Sequence, residues 1–172
     1  MSTLAMLAAR KRLLGINDNT VHNIKAIRPF LIEQLDPIID ELYRHLLTFP
    51  ECAKILTQSA IPMLKLKQKL HWVLMLDCKF DEPYATHTMQ IGRIHFQRKV
   101  PPYIYIAAYS YVQCLIVARV SDHAHGKHDL ATTLSSLSRI IMLDMDLALL
   151  AYTRAFWSGS TSDEDHSRDV YV

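Results

Sequence analysis

Nine histidines and three cysteines are the side chains of this 172-residue sequence best suited to hold a metal or move a proton. Cys52, Cys78 and Cys114 are far apart, odd in number and form no C-x-x-C pair. They are expected as small core residues in a reducing compartment, not as a disulfide or zinc framework. No H-E-x-x-H, glycine-rich phosphate loop or G-x-S-x-G elbow occurs. His123, His125 and His128 have loosely metal-like spacing but are expected in a solvated polar loop. Asp144 and Asp146 stand two apart on one predicted helix, so they point in different directions and make a poor acid–base pair. Catalysis has little support. His95 differs through its surroundings: a glycine one helical turn before it, Gly92, and a helix-breaking Pro101-Pro102 shortly after it.

The elements that would position these residues are helical. Half of the residues are apolar, so the chain should fold, and four glycines are few for a strand-rich fold. Met1–Leu14 forms a short helix. Asn17 and Asp18 cap a second helix carrying Val21, Ile24, Ile27, Phe30 and Leu31. Asp36-Pro37 reads as the N-cap and first turn of a third, with Ile38, Ile39, Leu42, Tyr43, Leu46 and Leu47 on its apolar face. A turn follows around Cys52–Leu56. Helices are then expected over Pro62–Leu76, from Tyr84 to about Val100, from Pro102 to about Val120, and from Leu130 to Phe156. About seven helices with short connections predict an all-α domain over residues 1–157. Residues 158–172 are polar and acidic and read as a tail or linker.

Several function classes are disfavoured. Net charge is +2 with scattered basic residues, so there is no concentrated surface for nucleic acid. No run of about 18 uninterrupted apolar residues suggests a membrane span. The N-terminal charges Arg10, Lys11 and Arg12 follow the apolar residues, the reverse of a secretory signal. A cytoplasmic location is expected.

Four segments carry a resemblance. Ile91 to Tyr109 reads I-G-x-x-H, then V-P-P after four residues, then Y-I-x-A-Y. Pro37 to Glu51 reads P-x-I-x-x-L-Y-x-x-L-L-x-x-P-E, Leu64 to Trp72 reads L-K-x-x-x-x-x-H-W, and Leu143 to Tyr152 reads L-D-x-D-L-A-x-x-x-Y. In order and spacing, over most of Asp18 to Tyr152, these resemble the globin-coupled sensors and the related protoglobins.

The resemblance implies a globin-like helical sandwich of seven to eight helices, with an extra N-terminal helix, around one haem b. It makes His95 the axial iron ligand and puts Tyr43 on the distal side, its hydroxyl donating a hydrogen bond to bound dioxygen. Ferrous iron transfers charge to O2 far more than to CO, so a donor in a dry pocket favours O2. Leu64 would lie over the haem, with Phe49 and Trp72 as apolar packing and Tyr105 returning beside it. Gly92 would let a helix or the porphyrin approach closely. Family members often carry Ser or Thr near the second distal place, where this chain has Lys67 and Gln68. Gln68 is a candidate second donor, Lys67 suits the propionates or solvent, and His71 is a remote candidate sixth ligand. A tryptophan common before the residue matching Tyr105 is replaced by Ile104. The family further implies binding of O2, CO and NO, a homodimer through the last two helices, and an output domain such as a diguanylate cyclase, chemotaxis transducer or kinase. Two alternatives stand beside this oxygen sensor: a haem enzyme acting on nitric oxide or peroxide, and a cofactor-free helical dimerisation module.

Overall fold

The structure is a computed structural model that describes residues 2–123 and 129–160, the last seven of these by backbone alone. Its described residues form seven α-helices and one 3-10 turn, with no strand. These are α1 (Thr3–Leu13), α2 (Asp18–Leu46), α3 (Pro50–Ala53), α4 (Ile61–Leu76), α5 (Glu82–Gln97), α6 (Pro102–His123) and α7 (Leu130–Ser160), with the 3-10 turn over Gln58–Ala60. The architecture is the expected all-α globin-like sandwich.

α7 organises it. Ile140, Leu143, Leu147 and Ala148 are fully buried, and α2, α4, α5 and α6 all pack on this helix. The all-round apolar character of α7 is therefore largely consumed inside one chain. α5 runs along α7, while α4 leans chiefly on α2. α1 closes over α5 with Met6 and Leu7 buried. It is fastened to α7 by Arg10 to Asp146 at 2.5 Å and by Arg139, which donates to the Gly15 carbonyl at 2.7 Å.

The predicted break at Asp36-Pro37 is absent. α2 is one 29-residue helix with Pro29 and Pro37 inside it, started by an Asn17–Thr20 capping box. A proline in a helix interior costs about 3 kcal/mol. Here Ile38, Ile39 and Leu42 continue the buried face of Ile24, Ile27, Leu31 and Leu35, and that burial offsets the cost. Asp36 caps nothing; its carboxylate pairs with Lys69 at 2.6 Å.

Two further expectations change. Cys52 and Cys78 are buried, but Cys114 is exposed. His123 belongs to α6, where its ring stacks on Phe30 at 3.9 Å; His125 and His128 lie outside the described residues, as does the tail beyond residue 160. The most apolar 18-residue window of α6 has mean hydropathy 1.4, so the helix is long and apolar enough to cross a membrane by length and composition, yet it packs on α2 and α7 with Ile104, Tyr105, Val112, Ile116 and Val120 buried.

Candidate functional site

His95 sits in the last turn of α5, half-buried. Its Nδ1 lies 2.8 Å from the Ile91 carbonyl oxygen. A carbonyl can only accept, so Nδ1 carries the proton and donates. Nε2 is then left with its lone pair, and no described group pairs with it. Burial pushes the imidazole pKa below its ordinary value, only partly opposed by the Ile91 hydrogen bond, so the ring is neutral at physiological pH.

The backbone fixes this ring from both sides. Upstream, a Cβ on Gly92 would stand 2.0 Å from the Ala148 carbonyl oxygen, so only glycine lets α5 lie this close to α7. Of the two approaches Gly92 was expected to permit, the structure contains the helix. Downstream, α5 ends in a Schellman motif: Val100 donates to the His95 carbonyl at 3.0 Å and Lys99 to Phe96 at 2.9 Å. Lys99 occupies the left-handed region at φ 57, which costs a non-glycine residue about 1 kcal/mol. Pro101-Pro102 then redirects the chain into α6, which brings the Tyr105 ring edge-on to His95 at 4.9 Å.

On α2, Tyr43 is 7% exposed and its hydroxyl has no hydrogen-bond partner among the described residues. Lys65 Nζ lies 5.7 Å from its ring centre. Burial pushes its pKa up to about 12, so the phenol keeps its proton and remains a donor. Leu64 is half-buried against the core, Gln68 is half-buried and Lys67 exposed, and neither Gln68 nor Lys67 has a side-chain partner among the described residues. Phe49, at the start of α3, is 40% exposed and meets the His45 ring edge-on at 5.0 Å. Trp72 is buried and, with Met75, Tyr109, Val112, Ile116 and Ile141, lines an apolar void with room for about one water.

His71 is buried, and its Nε2 is engaged by Asp144 at 3.0 Å. Asp144 also accepts from Tyr109 at 2.5 Å, and Tyr109 accepts from Tyr105 at 3.2 Å. The structure thus brings His95, Tyr105 and His71 into one chain of contacts. Tyr43, Leu64 and Gln68 stand apart from it, on α2 and α4.

Sequence reasoning missed Asp144, Tyr84, Thr88 and Tyr109. A signal was present. Asp144 is flanked at helical spacing by Ile140, Ile141, Leu147 and Ala148, so a charge there had to be buried, and a buried charge needs donors. Tyr84 with Thr88, and Tyr105 with Tyr109, stand four apart on single helix faces.

This donor set suits a flat apolar group bound through one axial nitrogen. It offers a neutral imidazole with no described partner on Nε2 and two buried phenols, Tyr43 and Tyr152, whose hydroxyls have no partner among the described residues. Apolar side chains also remain uncovered on the helices concerned: Leu66, Leu70 and Leu74 on α4, and Ile94 and Phe96 on α5, are 40% exposed or more.

The fold and this site define a globin-type helical domain. The protoglobin family model matches residues 3–158, and the chain belongs to that family. It is 23% identical over 163 residues to the haem-based aerotactic transducer HemAT of Halobacterium salinarum, a match covering 88% of this chain and 33% of the transducer. The chain thus spans about a third of that relative's length. Among solved structures it is similar to the globin domain of the Geobacter sulfurreducens globin-coupled sensor, with a TM-score of 0.78 at 17% identity, covering 84% of this chain and 96% of that one. It is also similar to the ferric globin domain of Escherichia coli DosC, with a TM-score of 0.67 at 15% identity, covering 87% and 99%.

Proposed function

We propose that this chain is a haem-based gas-sensing domain, with oxygen as its ligand, His95 as the axial ligand and Tyr43 as the distal donor. The observation that carries the reading is the His95 ring: Nδ1 held by the Ile91 carbonyl, Nε2 free, pKa below its ordinary value. Membership of the protoglobin family and the haem-based relative support it.

Bound haem b supplies a ferrous iron that takes one diatomic gas, O2, CO or NO. The chain's own residues do the rest. His95 offers an imidazole that needs no deprotonation and little reorientation. Tyr43 would donate a hydrogen bond to the gas, and Gln68 is the second candidate donor. Leu64, Phe49 and Trp72 supply apolar walls that exclude water, with Tyr105 bracing the His95 ring. Lys67, long and unpaired, suits the haem propionates. His71 is occupied by Asp144 and takes no part as an iron ligand. No observation favours a distal acid–base pair for enzyme chemistry, because Lys67 is exposed and His71 is engaged.

The apolar and incompletely buried surface of α6, including Ile106 and Tyr103, supports pairing with a second copy through the last two helices. The globin domain proper comprises residues 1–157, followed by a linker to a C-terminal output domain of the transducer, cyclase or kinase kind, and acts in the cytoplasm.

Haem titration of the purified chain tests the reading. A Soret band that saturates at one haem per chain, and shifts on reduction and on adding CO, is the expected result. A chain that stays colourless overturns it.

A further inference from the structure

One carboxylate ties together the helices on both sides of the site. Asp144, on α7, has no solvent exposure. Its Oδ1 accepts from the Tyr84 hydroxyl and from Thr88 at 3.3 Å, both on α5. Its Oδ2 accepts from His71 Nε2 on α4 at 3.0 Å and from Tyr109 on α6 at 2.5 Å. A carboxylate has about four lone-pair sites, and here all are taken by donors. Four donors with no acceptor require the ionised form. Burial alone would raise the Asp144 pKa, but the electrostatic attraction and hydrogen bond of His71, with the hydrogen bonds of Tyr109 and Tyr84, outweigh it and hold the group below its ordinary value.

A buried network of this size is weak evidence for stability alone, because well-packed apolar residues often do as well. Its membership is more informative. His71 belongs to α4, the helix that carries Leu64 and Gln68, Thr88 and Tyr84 to the helix that carries His95, and Tyr109 to the helix that carries Tyr105. The acceptor stands on α7, the helix that leads out of the domain. The second nitrogen of His71, Nδ1, is buried without a partner among the described residues, so within them Asp144 provides the only hydrogen bond orienting that ring. A shift of α5 or α4 that lengthens one set of these bonds leaves an ionised carboxylate underpaired in the interior. α7 must follow to restore it.

We propose that Asp144 is a positioning residue that couples the gas-binding walls to α7, with His71 as its distal arm. This rests on the haem-based reading above. Residues 137–152 of α7 report the coupling by amide hydrogen exchange of the haem-loaded ferrous chain, with and without CO. CO should change exchange across this stretch by about 5-fold or more in the wild type. Asp144→Asn and His71→Leu should bind CO with an ordinary Soret shift but lose that difference. His71→Gln, which keeps an N–H donor, should restore it. If Asp144→Asn does not fold, the two His71 variants decide the matter.

In the haem-free chain, urea unfolding should show His71→Leu and Asp144→Asn to be non-additive by about 3-fold or more in the unfolding constant. Additive effects would overturn the direct link. Retention of the CO-dependent exchange in His71→Leu, or its absence from a wild type that binds CO, would overturn the coupling. A wild type that takes up no haem overturns the functional reading first and the coupling with it.

Discussion

α5 lies so close to α7 that a methyl group at Gly92 would strike the Ala148 carbonyl, whereas α4 leans on α2 across two surface ion pairs, Lys65 to Asp40 at 2.7 Å and Lys69 to Asp36 at 2.6 Å. The first wall is set by backbone contact, a Schellman ending and a ring held at 2.8 Å. The second is anchored by the buried side chains of Ile61, Trp72, Met75 and Leu76 and by one buried polar link, His71 to Asp144, while its outer edge is set by long, half-exposed side chains. On the proposed reading, the first kind of wall suits an imidazole that must be held steady as an axial ligand, and the second suits a surface that adapts to gases of different polarity. Asp144 is where the two meet.

The largest expected effect tests the rigid wall. Gly92→Val should lower stability by about 3 kcal/mol or more, since backbone, not a flexible side chain, blocks the added carbons. Thermal unfolding measures this, and haem retention should fall with it. A loss below about 1 kcal/mol would mean that α5 and α7 can separate cheaply.

Acid titration probes the junction. Asp144 has a folded pKa below the ordinary 3.8, so its contribution to stability is present above that value and is lost as the pH falls through the folded pKa. Urea unfolding of the haem-free chain should therefore weaken steeply below pH 4 or so, and Asp144→Asn should flatten that slope. An unchanged slope would place the acid sensitivity elsewhere.

The adaptable wall answers to gentler changes. Tyr43→Phe removes a hydroxyl that has no partner among the described residues, so folding stability should hardly change. O2 dissociation should accelerate about 5- to 30-fold, the worth of one hydrogen bond of about 1–2 kcal/mol, with a smaller effect on CO. Equal effects on both gases would remove Tyr43 as a donor. Smallest of all, Lys69→Ala should cost about 0.2–1 kcal/mol in urea unfolding, because both partners are partly exposed. A larger loss would show that α4 is held more firmly than its contacts indicate.

The same contrast explains what could be read in the sequence. The rigid side was legible because its devices are local: a glycine one turn before His95, a double proline after it, and a tyrosine spaced to return. The join of two predicted helices into α2 was hidden, because tertiary burial of Ile38, Ile39 and Leu42 overrides the local meaning of Asp36-Pro37. Asp144 was legible only in part. Its apolar neighbours at helical spacing mark it as buried, but its four donors come from three helices, between 35 and 73 residues away along the chain, and local spacing does not say that they converge on it. Around Lys67 and Gln68 the side chains are exposed or unpartnered, and neither pattern nor packing assigns them a role.

The central claim is that His95 Nε2 holds the haem iron. His95→Gly, purified and titrated with haem, tests it most directly, because added imidazole can fill the space the side chain leaves. The account predicts that the variant loses the ferrous five-coordinate spectrum and retains haem poorly, and that imidazole restores both. A His95→Gly chain that binds haem as the wild type does, with a ferrous spectrum indifferent to imidazole, would contradict it.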